Sequence, residues 1–456
     1  MLRLLTALAA LLVLTFLTLQ ARERGGSPAI DFSASAVAGE VLVRLTPAGL
    51  DLSDTVLATR LQGEVIDRIA PVAVVRLRLQ PTETVPAAIE RLARLSIVES
   101  AEPNHRLRAS LVPNDPLYTA QSGYLVQIEA PQAWDIERGR DSVLVAVLDS
   151  GIDLEHPDLK GRAWTNPYEI GDNALDDDQN GCVDDLHGCN FVSLSSTDPA
   201  CDTPQSGRIL DDNGHGSFVS GIIGAAGSNG LGISGIAPEA VLLPVKILDC
   251  LGGGTAADAA QAILYAGRMG ARVANISFGA DGESQTLTNA IREAYNKYAM
   301  VIVAATGNEG IDRVSFPARL PEAFAVASSG TPGNANERSP FSDWGREVAF
   351  AAPGQNIVST VPLRFCNNGW FCVEGQPYAI ASGTSFAAPI VSGLAALIVS
   401  RHPNLSPEGV RRMITSTAEN LPDGATPNWD GAGRIRMRAA LSLPRYSLGM
   451  PGVAKQ

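Results

Sequence analysis

Five mainly apolar stretches limit what this chain can fold into: "VLVAVLDS" at 143–150, "AVLLPVKIL" at 240–248, "ARVANISF" at 271–278, "MVIVAATG" at 300–307 and "AFAVASS" at 323–329. A strand with one wet face alternates polar and apolar residues. A strand covered on both faces does not, and that is the mark of a parallel sheet flanked by helices. Helical stretches at 216–226, 256–269 and 286–298 lie between the runs. The expectation is an α/β fold, a doubly wound, mostly parallel sheet with helices on both faces and its ligands at the carboxyl ends of the strands.

A smaller unit precedes it. "EVLVRL" at 40–45 and "VAVVRLRL" at 72–79 alternate as strands and "AAIERLARL" at 87–95 has helical spacing, a small α+β module with no nucleophile, metal or phosphate pattern. Arg3 and the mainly apolar run Leu4 to Leu19 have the length of a signal h-region and are short for a membrane span. Export is therefore expected, with residues 1–21 as signal peptide and an uncleaved N-terminal anchor as the alternative. Residues 22–38 read as a spacer rich in Gly, Ser and Ala.

Charge and cysteine usage fit that reading. The first 112 residues carry 12 Arg, no Lys and 11 acids, so the net −13 falls on the remainder, which carries −14. A nucleic-acid partner wants a basic stripe and is not expected here. The six cysteines all follow residue 112 and allow 15 pairings; Cys366 and Cys372 bracket "NNGWF" and suggest a local bridge. No pair has C-x-x-C spacing, which argues against zinc.

The strand ends hold the chemistry. Asp149 closes the first apolar run, Asn308 follows the fourth, and His215 sits between Gly214 and Gly216 at the start of a small-residue helix. Ser385 opens an almost wholly apolar helix in "IASGTSFAAPIVSGLAAL", 380–397. Alone, Thr384 or Ser385 reads as a helix N-cap. With the other three it reads as a nucleophile: an orienting acid, a general base, an amide donor and a hydroxyl gather at one sheet edge, in an Asp, His, Ser order known from convergent enzymes.

"VLDSGIDLEHPDL", "DDNGHGSFVSGIIG", "AATGNEG" and "ASGTSFAAPIVSGLAAL" resemble the Asp, His, oxyanion and Ser motifs of the subtilisin-like serine proteases, and "NDPLY…QIEAPQAWDIERG" is most similar to the thermitase-like branch. The resemblance implies a serine endopeptidase at 113–445 with a tail at 446–456, acting as a monomer on peptides with no organic cofactor. It assigns Asp149, His215 and Ser385 to the triad and Asn308 to the oxyanion hole. It also implies that residues 39–110 form an inhibitory propeptide whose segment 104–112 threads the cleft and is cut there. Ser277, Phe278, Gly279, Ala280 and Gly307 are implied to line the pocket for the residue before the scissile bond, and their uncharged character favours apolar or aromatic side chains. This chain departs from most relatives in having Ser217-Phe218 for Thr-His and Phe386 for the Met after the nucleophile.

Cations are expected as well. Asp176, Asp178, Asn180 and Asp185, with Gly181, open like an EF-hand calcium loop, although His187 stands where Glu would complete it. The resemblance implies a second calcium site from Asp115, Asp158 and Asn229 with carbonyls of 227–233. "GLGISG" at 230–235 satisfies a dinucleotide glycine pattern but follows a helix and precedes a strand, the reverse of the required order. The competing functions are a peptide-binding pseudoprotease, disfavoured because no catalytic residue is missing, and a nucleotide-dependent enzyme, disfavoured by that glycine order. The sequon at Asn275 falls in an expected buried strand; Asn404 carries a second.

Overall fold

The computed structural model describes residues 36–105, 112–194, 201, 207–280, 282–330, 333–366, 369–422, 426 and 428–443. The targeting segment, most of the spacer, most of the processing stretch and the C-terminal tail lie outside them. The chain divides into two compact units, Met1–Ala109 and Ser110–Gln456.

In the first unit β1 (Ala36–Leu45), β2 (Gly63–Ile69), β3 (Val74–Leu79) and β4 (Val98–His105) form an antiparallel sheet in the order β2-β3-β1-β4. Helices α1 (Asp54–Leu61) and α2 (Val85–Leu92) bury Leu57, Leu61, Ala88 and Leu92 against Val41, Val43, Val75 and Leu77. The edge strands β2 and β4 went unseen in the sequence because they are largely exposed and carry little apolar alternation.

The second unit holds a seven-stranded sheet of β5 (Leu144–Asp149), β6 (Cys189–Asn190), β7 (Val241–Lys246), β8 (Val273–Ile276), β9 (Val301–Ala305), β10 (Ala323–Ser329) and β11 (Val348–Pro353). Its order is β11-β10-β9-β8-β5-β7-β6 and every neighbouring pair is parallel. The five continuous runs account for β5, β7, β8, β9 and β10. Strand side chains alternate faces, and both faces of these strands are dry. Val145 and Val147 face a core built with α3 (His215–Gly224), whereas Leu144, Ala146 and Leu148 face a second core built with α4 (Ala256–Arg268) and α5 (Gln285–Lys297). Each such buried Val or Leu contributes roughly 1.5–3 kcal/mol of transfer free energy. By the same alternation Asp149 falls on the face of Val145 and Val147, the face covered by α3.

A two-stranded ribbon of β12 (Ile357–Thr360) and β13 (Tyr378–Ala381) follows, then the long helix α6 (Thr384–Arg401), buried along nearly its whole length in the first core. Thr255 and Ser284 cap α4 and α5 through their side chains. No hydroxyl caps α6; its N-cap is Gly383, so the capping reading of Thr384 and Ser385 is not realised. Disulfides join Cys182 to Cys189, Cys201 to Cys250 and Cys366 to Cys372, the last being the pair the sequence suggested.

Candidate active site

Asp149 is fully buried at the carboxyl end of β5, and His215 begins α3 with its Nδ1 2.8 Å from Asp149 Oδ1. A carboxylate only accepts, so Nδ1 carries the proton and Nε2 is left as the basic nitrogen. Asp149 Oδ1 also accepts the Ser150 N–H at 2.8 Å, while its Oδ2 is buried with no partner among the described residues. Burial depresses the imidazole pKa, but the charge of Asp149, its hydrogen bond and the charge of Asp211 outweigh that and hold His215 above its ordinary value.

Glycines permit the approach of these two segments. A Cβ on Gly216 would stand 2.1 Å from the Gly151 carbonyl oxygen, so helix and strand end meet backbone to backbone. Asp211, which the sequence reading did not single out, fastens the junction. Its Oδ1 accepts from Ser150 Oγ, Asn213 N and Gly214 N, and its Oδ2 from Ser217 N. Beside it Lys246 on β7, in register with Asp149, forms a buried ion pair with Asp212 at 2.5 Å.

Ser385 is the second residue of α6. Its Oγ donates to the Ser277 carbonyl at 3.0 Å, and its own carbonyl accepts from Ser277 Oγ at 2.8 Å. Pro389 explains the second bond: four residues on, it has no N–H to give the Ser385 carbonyl, and the Ser277 hydroxyl takes that place. Ser392 Oγ, Asn275 and Ser277 continue the chain of bonds into the core, where Asn275 is fully buried. Phe386, adjacent to Ser385, packs its ring 5.5 Å from that of His215. Among the described residues Ser385 Oγ makes no hydrogen bond to His215.

Asn308 stands exposed just past β9. Its Oδ1 accepts from Thr384 N at 2.8 Å and Thr384 Oγ1 at 3.0 Å, which turns the Nδ2 donor away from those groups. The Ser385 N–H is one of the donors that an α-helix N-terminus leaves without an intrahelical partner.

Ser277 is buried and occupied by Ser385, Phe278 and Gly307 are half-buried, and Gly279 and Ala280 are exposed. Ser315 lies between the two segments: a Cβ on Gly279 would stand 3.1 Å from Ser315 Cβ, and one on Gly307 2.6 Å from Ser315 Oγ. Neither Ser315 nor Asp343 was anticipated. Asp343 Oδ1 accepts the N–H groups of Glu309 and Ile311 and so holds the loop that carries Asn308; burial raises its carboxyl pKa against those bonds.

The two cation sets differ. Glu169, Asp178 and Asp185 each direct a carboxylate oxygen into one space, within 4.8 Å of one another. Glu169 is buried and both its oxygens lack partners; burial and the neighbouring Asp185 push its carboxyl up to about 7. Asn180 reaches Asp185 through Nδ2, whereas Asp176 turns to the N–H groups of Asn180 and Gly181 and stays outside the cluster. Glu169 has no place in the D-x-D-x-N spacing, and only the fold brings it in. Asp115, Asp158 and Asn229 also meet, but every carboxylate oxygen there already accepts a hydrogen bond, from Ser228 N, Asn229 N, Ser234 Oγ, Asn229 Nδ2 and Ile233 N.

Residues 140–433 match the Subtilase family and residues 29–104 match the fervidolysin N-terminal prodomain. A thermophilic serine proteinase of Bacillus sp. (strain AK1) is 35% identical over 358 residues, 78% of this chain and 76% of the relative. Thermitase of Thermoactinomyces vulgaris is 35% identical over 329 residues, 72% of this chain and 99% of thermitase. Among solved structures, fervidolysin of Fervidobacterium pennivorans, described as a keratinolytic enzyme related to subtilisin, shares the fold over 90% of this chain with a TM-score of 0.57 at 24% identity. This chain spans 62% of fervidolysin's length. Proteases from Pseudoalteromonas arctica align over 73% of this chain and 99% of their own, with a TM-score of 0.55 at 27% identity. The chain therefore belongs to the subtilase family of serine endopeptidases and carries a prodomain of that family ahead of its peptidase region.

Proposed function

We propose that the chain hydrolyses peptide bonds through Ser385, His215 and Asp149. The observation that carries this is the 2.8 Å contact of His215 with the fully buried Asp149, beside the residue that follows Ser385. Ser385 Oγ leaves the Ser277 carbonyl by rotation about χ1 and gives its proton to His215 Nε2 as it attacks the substrate carbonyl; hydrogen bonds of this kind are often unformed in the free enzyme. The oxyanion is met by Asn308 Nδ2 and the Ser385 N–H, a side-chain amide and a helix N-terminal donor. His215 then passes the proton to the leaving amine, and water cleaves the acyl-enzyme by the reverse route. Asp149 stabilises the imidazolium without taking the proton.

The uncharged residues Phe278, Gly279, Ala280 and Gly307 favour an apolar or aromatic residue before the scissile bond; behind Gly307, Asp343 keeps its Oδ1 on the Glu309 and Ile311 N–H groups while its Oδ2 stands 2.1 Å from where a Gly307 Cβ would lie. Residues 39–110 act as an intramolecular inhibitor, and the chain is exported and processes itself. Calcium is held by Glu169, Asp178 and Asp185, with Asn180 beside them; the unpartnered oxygens of Glu169 support this. When bound there, calcium offsets the mutual repulsion of the carboxylates and stiffens the 169–185 loop. The Asp115 set has no unpartnered carboxylate oxygen and lends calcium no comparable support. Expression of Ser385→Ala tests the reading: it is expected to accumulate full-length precursor and cleave no peptide, and efficient maturation of that variant would assign the processing to another protease.

A further inference from the structure

Between β12 and β13 lie the described residues 361–366 and 369–377, joined by the Cys366–Cys372 disulfide. Arg364 hydrogen-bonds the Asp211 carbonyl, with its guanidinium 4.8 Å over the Phe365 ring. Trp370 Nε1 donates to the Asn213 carbonyl at 3.2 Å, two residues before His215. A Cβ on Gly214 would stand 2.6 Å from Trp370 Nε1, so only glycine admits the indole there. The indole stacks on Phe218 at 5.1 Å, Phe218 packs on Phe386 at 4.4 Å, and Phe386 packs on His215. An aromatic row thus runs from the neighbour of Ser385 out to this loop. At its far end Phe371 is 90% exposed and Leu363 60% exposed.

We infer that this loop receives the substrate residues that follow the scissile bond, and that Trp370 and Phe371 select an apolar or aromatic side chain among the first three of them. The inference rests on the proteolytic reading above and adds the leaving-group side to it. The loop is continuous with the cleft through the aromatic row. His215 has to reach the leaving amine, so the departing peptide emerges on the His215 side of Ser385, away from Ser277 and the segments that hold the acyl part. The aromatic row begins on that side and is fastened to the His215 segment by Trp370 and Arg364. An aromatic ring left bare beside a cleft gains from covering by an apolar side chain and offers nothing to a carboxylate.

The test uses mature enzyme and quenched-fluorescence peptides identical up to the scissile bond, with Phe, Leu, Gly or Asp at each of the three following positions. Active enzyme in each preparation is counted by fluorophosphonate titration, so a variant that folds poorly does not distort the comparison. At one of these positions Phe or Leu is expected to exceed Gly and Asp about tenfold in kcat/KM. Phe371→Ser, which removes no packing, is expected to cut that ratio to about a third, and the double variant Cys366→Ser/Cys372→Ser to bring it near one. Equal rates across the series, or an unchanged ratio in both variants, overturn the role of the loop while leaving the proteolytic reading in place. Absence of both titration and cleavage overturns the proteolytic reading, and the role of the loop with it.

Discussion

Replacing Asp149 by Asn keeps the size of the side chain and removes its charge, which isolates what the acid does for His215. The carboxylate oxygen lies 2.8 Å from Nδ1. At an effective dielectric of about 20 a unit charge pair at that distance is worth about 6 kcal/mol, and each 1.4 kcal/mol or so is tenfold in rate. Because His215 retains 23% side-chain exposure, solvent takes part of that. The expected loss in kcat is roughly 10³–10⁴-fold. The orienting acid of subtilisin itself is known to cost about 3 × 10⁴ in kcat when removed, just above this range, so the figure is not independent of the family. The pH profile gives a second reading. In the parent, activity requires neutral His215, so kcat/KM rises with pH through a midpoint above the ordinary 6.5, burial being outweighed by Asp149 and Asp211. In Asp149→Asn the two contributions of Asp149 vanish and burial remains, so the midpoint moves to lower pH. The assay is kcat/KM on a neutral peptide from pH 4 to 10, with melting temperatures to show that the variant folds. A loss under about tenfold, or a midpoint that moves upward, would refute the electrostatic argument.

Other expectations follow from the same site. Asn308→Ala should lower kcat by roughly 10²–10³ with little change in KM, a magnitude taken from the equivalent amide of subtilisin; unchanged kcat would remove Asn308 from the oxyanion hole. Excess EDTA should lower the melting temperature by about 5 °C or more, and Glu169→Gln should make melting insensitive to added calcium; a variant that still responds would move the cation elsewhere. Phe386 has no thioether to oxidise, so activity in dilute peroxide should decay more slowly than in relatives with Met at that position, as a time course of residual activity would reveal.

Much of the fold was legible because its cause is local. A strand dry on both faces has to be continuously apolar, and β5, β7, β8, β9 and β10 announced themselves that way. The four candidate positions were legible because backbone contact imposes small residues around them: Gly216 against Gly151 is one such place. What escaped depends on contacts far apart in the chain. Glu169 reaches Asp178 and Asp185 only through the course of the loop, and no spacing rule points to it. Asp211 and Asp343 look like ordinary loop acids until their carboxylates are seen collecting backbone N–H groups. Strand β11, "VAFAAP", is short and rich in small residues, too weak a pattern to separate from a loop. Trp370 was noticed only as part of the stretch between two cysteines; its packing on Phe218 depends on where α3 lies.

The proposed mechanism requires that folding make one hydroxyl of this chain a nucleophile and leave the other serines inert. Fluorophosphonate labelling of the purified mature protein, followed by peptide mapping, reads this out. A single modification per chain is expected, on Ser385, abolished in His215→Ala while the protein remains folded. Modification of a different residue, or a folded protein that takes up no label, contradicts it.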